Sequence, residues 1–414
     1  MKINLLRVSD FHISERKDKK SMHREKFFSR CIIAFAVILS YNIKKKGREE
    51  MTVKERLKAL NVPSPLEVTG KRATTVDEWE KIKPIVREMM YKCEYGHLPE
   101  KPESVSFKVV SEPDDRFCAG KATIERIEIT SEINGETFTF PITYVCPTKG
   151  DKFKTFVCIN FRPDIPDKYI PTEEIIDNGF AIASFCYEDV TSDDGDFTNG
   201  LAGVIYKNKE RTLYSPGKIA MWAWAAMRVM DFLETREEVD LDCVTVCGHS
   251  RLGKTALLAG ISDERFSCVH SNCAGCSGDS LNRGKQKGSE TIGDIIDRFE
   301  FWFCENYKNY YGKDNETEFE QHFMHSLIAP RPVHIASAEE DIWAGPDVQF
   351  LCCAAASEVY ELYGKKGFVY EEDDYLKCGK MLHDGSIGLY FRHGKHYFAR
   401  DDWHGMFDFI NQKF

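Results

Sequence analysis

The strongest constraint on the fold is a turn in the middle of the chain, Val246-Cys-Gly-His-Ser-Arg-Leu-Gly-Lys-Thr255. The apolar run Val244–Cys247 precedes it and Ala256-Leu-Leu258 follows, so Ser250 falls where a buried strand gives way to a helix. Such a turn pushes the hydroxyl out of the sheet edge and sets the first helical N–H groups beside it, ready for a developing oxyanion. Gly248 allows a close approach ahead of the serine, and Gly253 leaves room where helix and strand cross. In one respect the pattern departs from Gly-x-Ser-x-Gly: Leu252 holds the second glycine position and the glycine comes one place later. Taken alone, such a string is an ordinary strand-to-helix turn in many chains, so its partners must decide.

Those partners follow in the order serine, acid, histidine. Pro332–Ser337 is a short apolar run that opens into Ala338-Glu-Glu-Asp341. Asp341 is the first candidate acid and Glu340 the reserve; Glu339 completes a triplet that would otherwise only solvate a loop. Ser386–Arg392 reads as a last strand, and Asp402 opens a closing amphipathic helix. Between them lies His393-Gly-Lys-His396, with His396 the candidate base and His393 and His404 the alternatives. Asn160-Phe-Arg-Pro163, after an earlier strand, is placed to supply a second oxyanion N–H beside that of Arg251.

Around these motifs, helical and strand patterns alternate. Thr75–Lys92 reads as a helix, and Ala122–Ile133 and Glu136–Cys146 as strands joined by an Asn134-Gly135 hairpin turn. Strands at 153–161, 180–187, 239–247 and 266–272 then interleave with helices near 173–178 and 216–235. The expected fold is an α/β-hydrolase: a mostly parallel sheet with an antiparallel start, covered by helices on both faces. Residues 104–414 would form the catalytic domain and 51–103 a helical segment packed on it. Trp222 and Trp224 lie in an apolar helix and read as core.

Residues 1–50 differ from the rest, with basic flanks around the apolar run Cys31–Leu39. That run is too short to span a bilayer, which takes about twenty residues. We read residues 1–50 as a flexible tail or an upstream extension ahead of Met51, with export as the alternative. A net charge of -10 with no basic stripe argues against nucleic acid as a partner. The fifteen cysteines are odd in number and sit largely in apolar strands, which points to a reducing, cytoplasmic setting rather than a disulfide framework. No cysteine pair has companions at zinc spacing, so these thiols read as core or loop residues; no cofactor is expected. A monomer without a membrane span is the simplest expectation.

Several separate motifs, in order, resemble the glucuronoyl esterases, a carbohydrate esterase family related to acetyl xylan esterases. They are Gly248–Leu257, Asn272–Gly278 with Arg283, Phe301-Trp-Phe303, Leu327–Pro332 and Ala336–Trp343. The resemblance runs from about Lys71 to the C-terminus and is nearest to bacterial members. It implies a metal-independent serine esterase that cleaves 4-O-methyl-glucuronoyl esters on xylan, with Ser250 as nucleophile and His396 as base. Arg251 would stabilise the oxyanion, and Lys254, Trp302, Arg283, Gln321 and the Asn160 loop would line the substrate site. The family's usual acid falls at Cys273, where a thiol cannot steady an imidazolium; this shifts the role towards Asp341. An acetyl esterase and a non-catalytic carbohydrate-binding relative are the alternatives.

Overall fold

The computed structural model describes residues 51–111 and 113–414; the expectation for residues 1–50 lies outside the described residues. Ten strands form one sheet: β1 (Ser104–Val109), β2 (Ala122–Ile133), β3 (Glu136–Pro147), β4 (Phe153–Asn160), β5 (Ala181–Cys186), β6 (Val239–His249), β7 (Cys268–Asn272), β8 (Val333–Ala338), β9 (Lys380–Leu382) and β10 (Ile387–Arg392). Their order across the sheet is β1-β2-β3-β5-β4-β6-β7-β8-β10-β9. From β5 through β10 the neighbours run parallel, while β1–β3 enter antiparallel at one edge and β9 closes the other. Asn134 and Gly135 both adopt positive φ, 53° and 73°, as a two-residue hairpin turn between β2 and β3 demands.

Alternation along the strands feeds two cores. In β4, Val157 and Ile159 face one side, and Phe156 and Cys158 the other. The first side takes the helix Lys218–Leu233, with Trp222 and Trp224 buried as expected, and the elbow helix Arg251–Ser262. The Trp222 and Trp224 indole N–H groups donate to the carbonyls of Thr191 (3.2 Å) and Glu100 (3.1 Å), so neither ring carries an unpaired donor. On the second side the closing helix Arg400–Lys413 lays Trp403, Met406, Phe407 and Ile410 onto Phe156, Phe180 and Ile182. Each such large side chain, fully withdrawn from water, contributes roughly 1.5–3 kcal/mol. The helix Val76–Met90 buries Trp79, Val86 and Met90 in the first core, and its start is fixed by the Thr75 side chain, which accepts from the Glu78 N–H. Among the described residues no helix is long and apolar enough to cross a membrane.

The parallel strands all point their carboxyl ends the same way. Ser250 follows β6, Cys273 follows β7, Asp341 lies three residues past β8, and His396 four residues past β10. That shared edge is where open α/β sheets hold their ligands.

Candidate active site

Ser250 sits at φ 58° and ψ -125°, a conformation that side chains rarely adopt. The surroundings hold it there. Its N–H donates to the Asn272 carbonyl at 2.8 Å, and its own carbonyl accepts from the Gly253 (2.8 Å) and Lys254 (3.2 Å) N–H groups as the helix begins. A Cβ on Gly248 would lie 2.2 Å from the Leu252 carbonyl oxygen, and one on Gly253 2.9 Å from Ser271 Oγ. Both glycines therefore permit the turn in the way the motif suggested. Ser250 is half-buried and its hydroxyl has no hydrogen-bond partner among the described residues.

The acid and base meet as a pair. His396 Nδ1 lies 2.7 Å from Asp341 Oδ2; the carboxylate is 3% exposed and the imidazole 42%. The His396 ring packs against that of His249, the residue before Ser250, at 4.5 Å between centroids. His249 is itself fixed by Asn272, and burial together with the nearby His396 holds its pKa down at about 3. Glu340, the reserve acid, turns its side chain to solvent and contributes only its backbone N–H, to the Gly394 carbonyl at 2.9 Å. Of the alternative histidines, His393 pairs with Glu339 at 2.7 Å, and His404 lies exposed on the closing helix. Cys273 takes a positive φ of 49° and its buried sulfur lies within 4.8 Å of Asp341 and His396 ligand atoms. Burial and the Asp341 charge push this thiol well above its usual pKa, so it is a neutral neighbour of the pair.

Arg251 belongs to a second, half-buried cluster. Its guanidinium pairs with Asp193 and lies 4.6 Å over the Trp302 ring. Asp193 also accepts from the Trp302 indole N–H at 2.7 Å and the Tyr187 hydroxyl at 2.9 Å. Trp302 stacks on Phe299 with centroids 3.9 Å apart, which accounts for the apolar run around it. Burial draws the Arg251 pKa down, and its Nε is buried with no acceptor among the described residues.

The remaining expected contacts lie deeper. Lys254 is 2% exposed and its ammonium donates to the carbonyls of Ala274 and Cys276, with Glu290 at 3.9 Å. Arg283 and Gln321, expected against substrate, are 6% and 0% exposed. Arg283 is bound to Glu320 (3.1 Å) and Thr317, and Gln321 donates to the buried Glu94 at 2.9 Å, so both are engaged in the scaffold. The Asn160 side chain is likewise 2% exposed and donates to the Arg162 carbonyl at 2.9 Å, shaping its loop instead of reaching outward.

Two contributors were not foreseen. Arg392, the last residue of β10, donates to the carbonyls of His393 (3.0 Å), Lys395 (3.0 Å) and Tyr397 (2.5 Å), and its Nε to both Asp402 oxygens at 2.9 Å. The His396 loop is thus wrapped around one buried guanidinium. The only available signal was an arginine closing an apolar strand just before the histidine loop. Trp343, in the turn after Asp341, is 36% exposed with Arg298 over its ring at 4.6 Å.

Fold and site together define an α/β-hydrolase with the layout of a serine esterase. The fungal glucuronyl esterase family model matches residues 128–364, more than half of the chain, and the chain belongs to that family of carboxylic ester hydrolases. It is 28% identical over 391 residues to a carbohydrate esterase of an unknown prokaryotic organism, covering 84% of this chain and 89% of the relative. Identity to a 4-O-methyl-glucuronoyl methylesterase of Wolfiporia cocos is 25% over 303 residues, 71% of this chain and 70% of that one. A solved glucuronoyl esterase from Solibacter usitatus superposes with a TM-score of 0.76 at 27% identity, over 84% of this chain and 97% of the other.

Proposed function

We propose that this chain hydrolyses 4-O-methyl-glucuronoyl esters of xylan or its fragments, with Ser250 as nucleophile, His396 as general base and Asp341 as the acid that orients it. The observation that carries the reading is the 2.7 Å His396–Asp341 pair beside a strained serine turn. The names of the relatives support the choice of substrate.

In the first half-reaction the Ser250 oxygen attacks the ester carbonyl while His396 Nε2 takes its proton. Asp341 holds the Nδ1 proton and stabilises the imidazolium. The Arg251 backbone N–H at the start of the helix stands ready for the tetrahedral oxyanion, with the guanidinium of the same residue adding positive charge nearby. His396 then protonates the leaving alcohol, and an acyl-enzyme remains. Water, deprotonated by His396, attacks this ester; collapse returns the proton to Ser250 and releases the uronate. The Asp193–Arg251–Trp302 cluster adjoins the nucleophile through Arg251, the residue after Ser250, and Trp343 offers an exposed ring on which a sugar face can stack.

The test compares hydrolysis of the methyl ester of 4-O-methyl-glucuronic acid with that of an aryl acetate, in the wild type and in Ser250→Ala. Uronate ester hydrolysis that dominates and disappears with Ser250 supports the reading. Dominant acetate hydrolysis would make the chain a deacetylase, and inactivity on both esters would refute catalysis.

A further inference from the structure

The structure carries a second histidine–carboxylate pair on the two turns that hold His396 and Asp341. Glu339 lies two residues before Asp341 and His393 three before His396. His393 Nδ1 is 2.7 Å from Glu339 Oε2, and Cys378, just ahead of β9, completes a set of ligand atoms that all lie within 4.8 Å of one another. None of these three residues has a part in the proposed ester chemistry.

We propose that Glu339, Cys378 and His393 bind a borderline divalent cation of the Zn²⁺ type, which clamps the Asp341 turn to the His396 turn. One carboxylate, one thiolate and one imidazole form a donor set that suits such an ion, and three protein ligands leave a fourth position for water. Metal–ligand bonds of about 2.0–2.3 Å set tetrahedral donors roughly 3.3–3.7 Å apart, so side-chain adjustments of an ångström or so close the site.

The backbone beneath is already tied. The Glu339 N–H donates to the Arg392 carbonyl at 2.9 Å, the Glu340 N–H to that of Gly394 at 2.9 Å, and the Gly379 N–H to that of Phe391 at 2.7 Å. The three ligands therefore come from the ends of adjacent strands rather than from independent loops. Access is open: the side chains of His393 and Glu339 are 77% and 51% exposed. Cys378 and Cys118 are the two cysteines not buried among the described residues, which makes thiol ligation at the surface easy to trace.

The ion is structural: it bonds to neither Ser250 nor substrate. Its effect is to keep base and acid in register when heat loosens their turns.

The test loads the metal-stripped, reduced protein with Co²⁺ and with Zn²⁺. The expected result is one Co²⁺ per chain with a thiolate-to-cobalt charge-transfer band and four-coordinate visible absorption. Zn²⁺ should raise the unfolding midpoint and lengthen the half-life of esterase activity on heating. Cys378→Ser should abolish the charge-transfer band and, with His393→Gln, weaken binding by at least about tenfold. Cys378→Ser should leave the unheated activity unchanged. A band that survives Cys378→Ser and disappears in Cys273→Ser would place the ion on Cys273, Asp341 and His396 and overturn the proposal. Absence of stoichiometric binding in the wild type would overturn it as well. Because the band and the midpoint are read without substrate, they hold or fail independently of the esterase reading.

Discussion

Replacing Asp341 by asparagine keeps the shape of the site and removes one charge. The carboxylate is buried and touches His396 at 2.7 Å, which places its charge about 4 Å from the centre of the imidazolium that forms as Ser250 attacks. At an effective dielectric constant of about 20 this interaction amounts to roughly 4 kcal/mol, or about a thousandfold in rate. An amide can also donate to Nδ1 and select the wrong tautomer, which brings the loss towards ten-thousandfold. We expect kcat on the uronate methyl ester to fall by about three to four powers of ten, with KM within about threefold. Glu340→Gln, at an exposed side chain, should change kcat by less than about twofold. An Asp341→Asn enzyme that keeps more than about a tenth of wild-type kcat would refute the assignment, because the neutral Cys273 cannot supply the missing charge.

Arg392→Lys removes the fork that holds three carbonyls of the His396 loop, and the fall in kcat should be about ten- to a hundredfold. Steady-state kinetics check it, with near-wild-type circular dichroism showing that the fold survives. Asp193→Asn removes the charge that pairs with the Arg251 guanidinium and turns one of the two oxygens, which accept separately from Trp302 and Tyr187, into a donor; about 3 kcal/mol of stability should disappear together with most of kcat/KM, read by urea titration and initial rates. Stability should also fall on the acid side. His249, His270, His322 and His325 are buried with pKa values lowered to about 3, and burial puts His334 well below its usual value. An unfolded histidine takes up its proton near pH 6.5 while these do not, so stability present at neutral pH is lost as pH falls. Between pH 7.5 and 5.5 the four held at about 3 should each cost about 1.4 kcal/mol, about 5.5 together, and His334 adds to the loss in the same direction. Glu94 and Asp402, raised by burial to about 7 and about 6, work in the opposite direction and return about 2–3 kcal/mol. A melting temperature that stays flat over that interval would contradict this account.

What was legible in the sequence was what local pattern dictates. The serine turn is written in consecutive residues whose spacing leaves no other use for Gly248, and Asp341 and His396 each stand a few residues past a strand of clear apolar pattern. Asn134-Gly135 announced its hairpin for the same reason. The misplaced residues are those whose roles depend on distant partners. Arg283 and Gln321 look like ligand-binding side chains until Glu320 and Glu94 arrive from elsewhere in the chain to bury them. Arg392 went unread because its acceptors are mostly backbone carbonyls, which have no signature in sequence. The strand β9 is three residues long and two of them are exposed, so it carries no alternation to detect.

Cys273 bears on how such an enzyme can be altered. Four strands, β6, β7, β8 and β10, lie side by side, so about 14 Å of sheet separates the rows that supply serine and histidine. The histidine turn must lean over the end of β7 to close that gap, and the residue at that end becomes the floor under the imidazole. A glutamate there, with Asp341 retained, would seat two anions against one ring, and one of them would hold a proton at neutral pH. Moving the charge from one strand end to the other therefore calls for an exchange at both positions together.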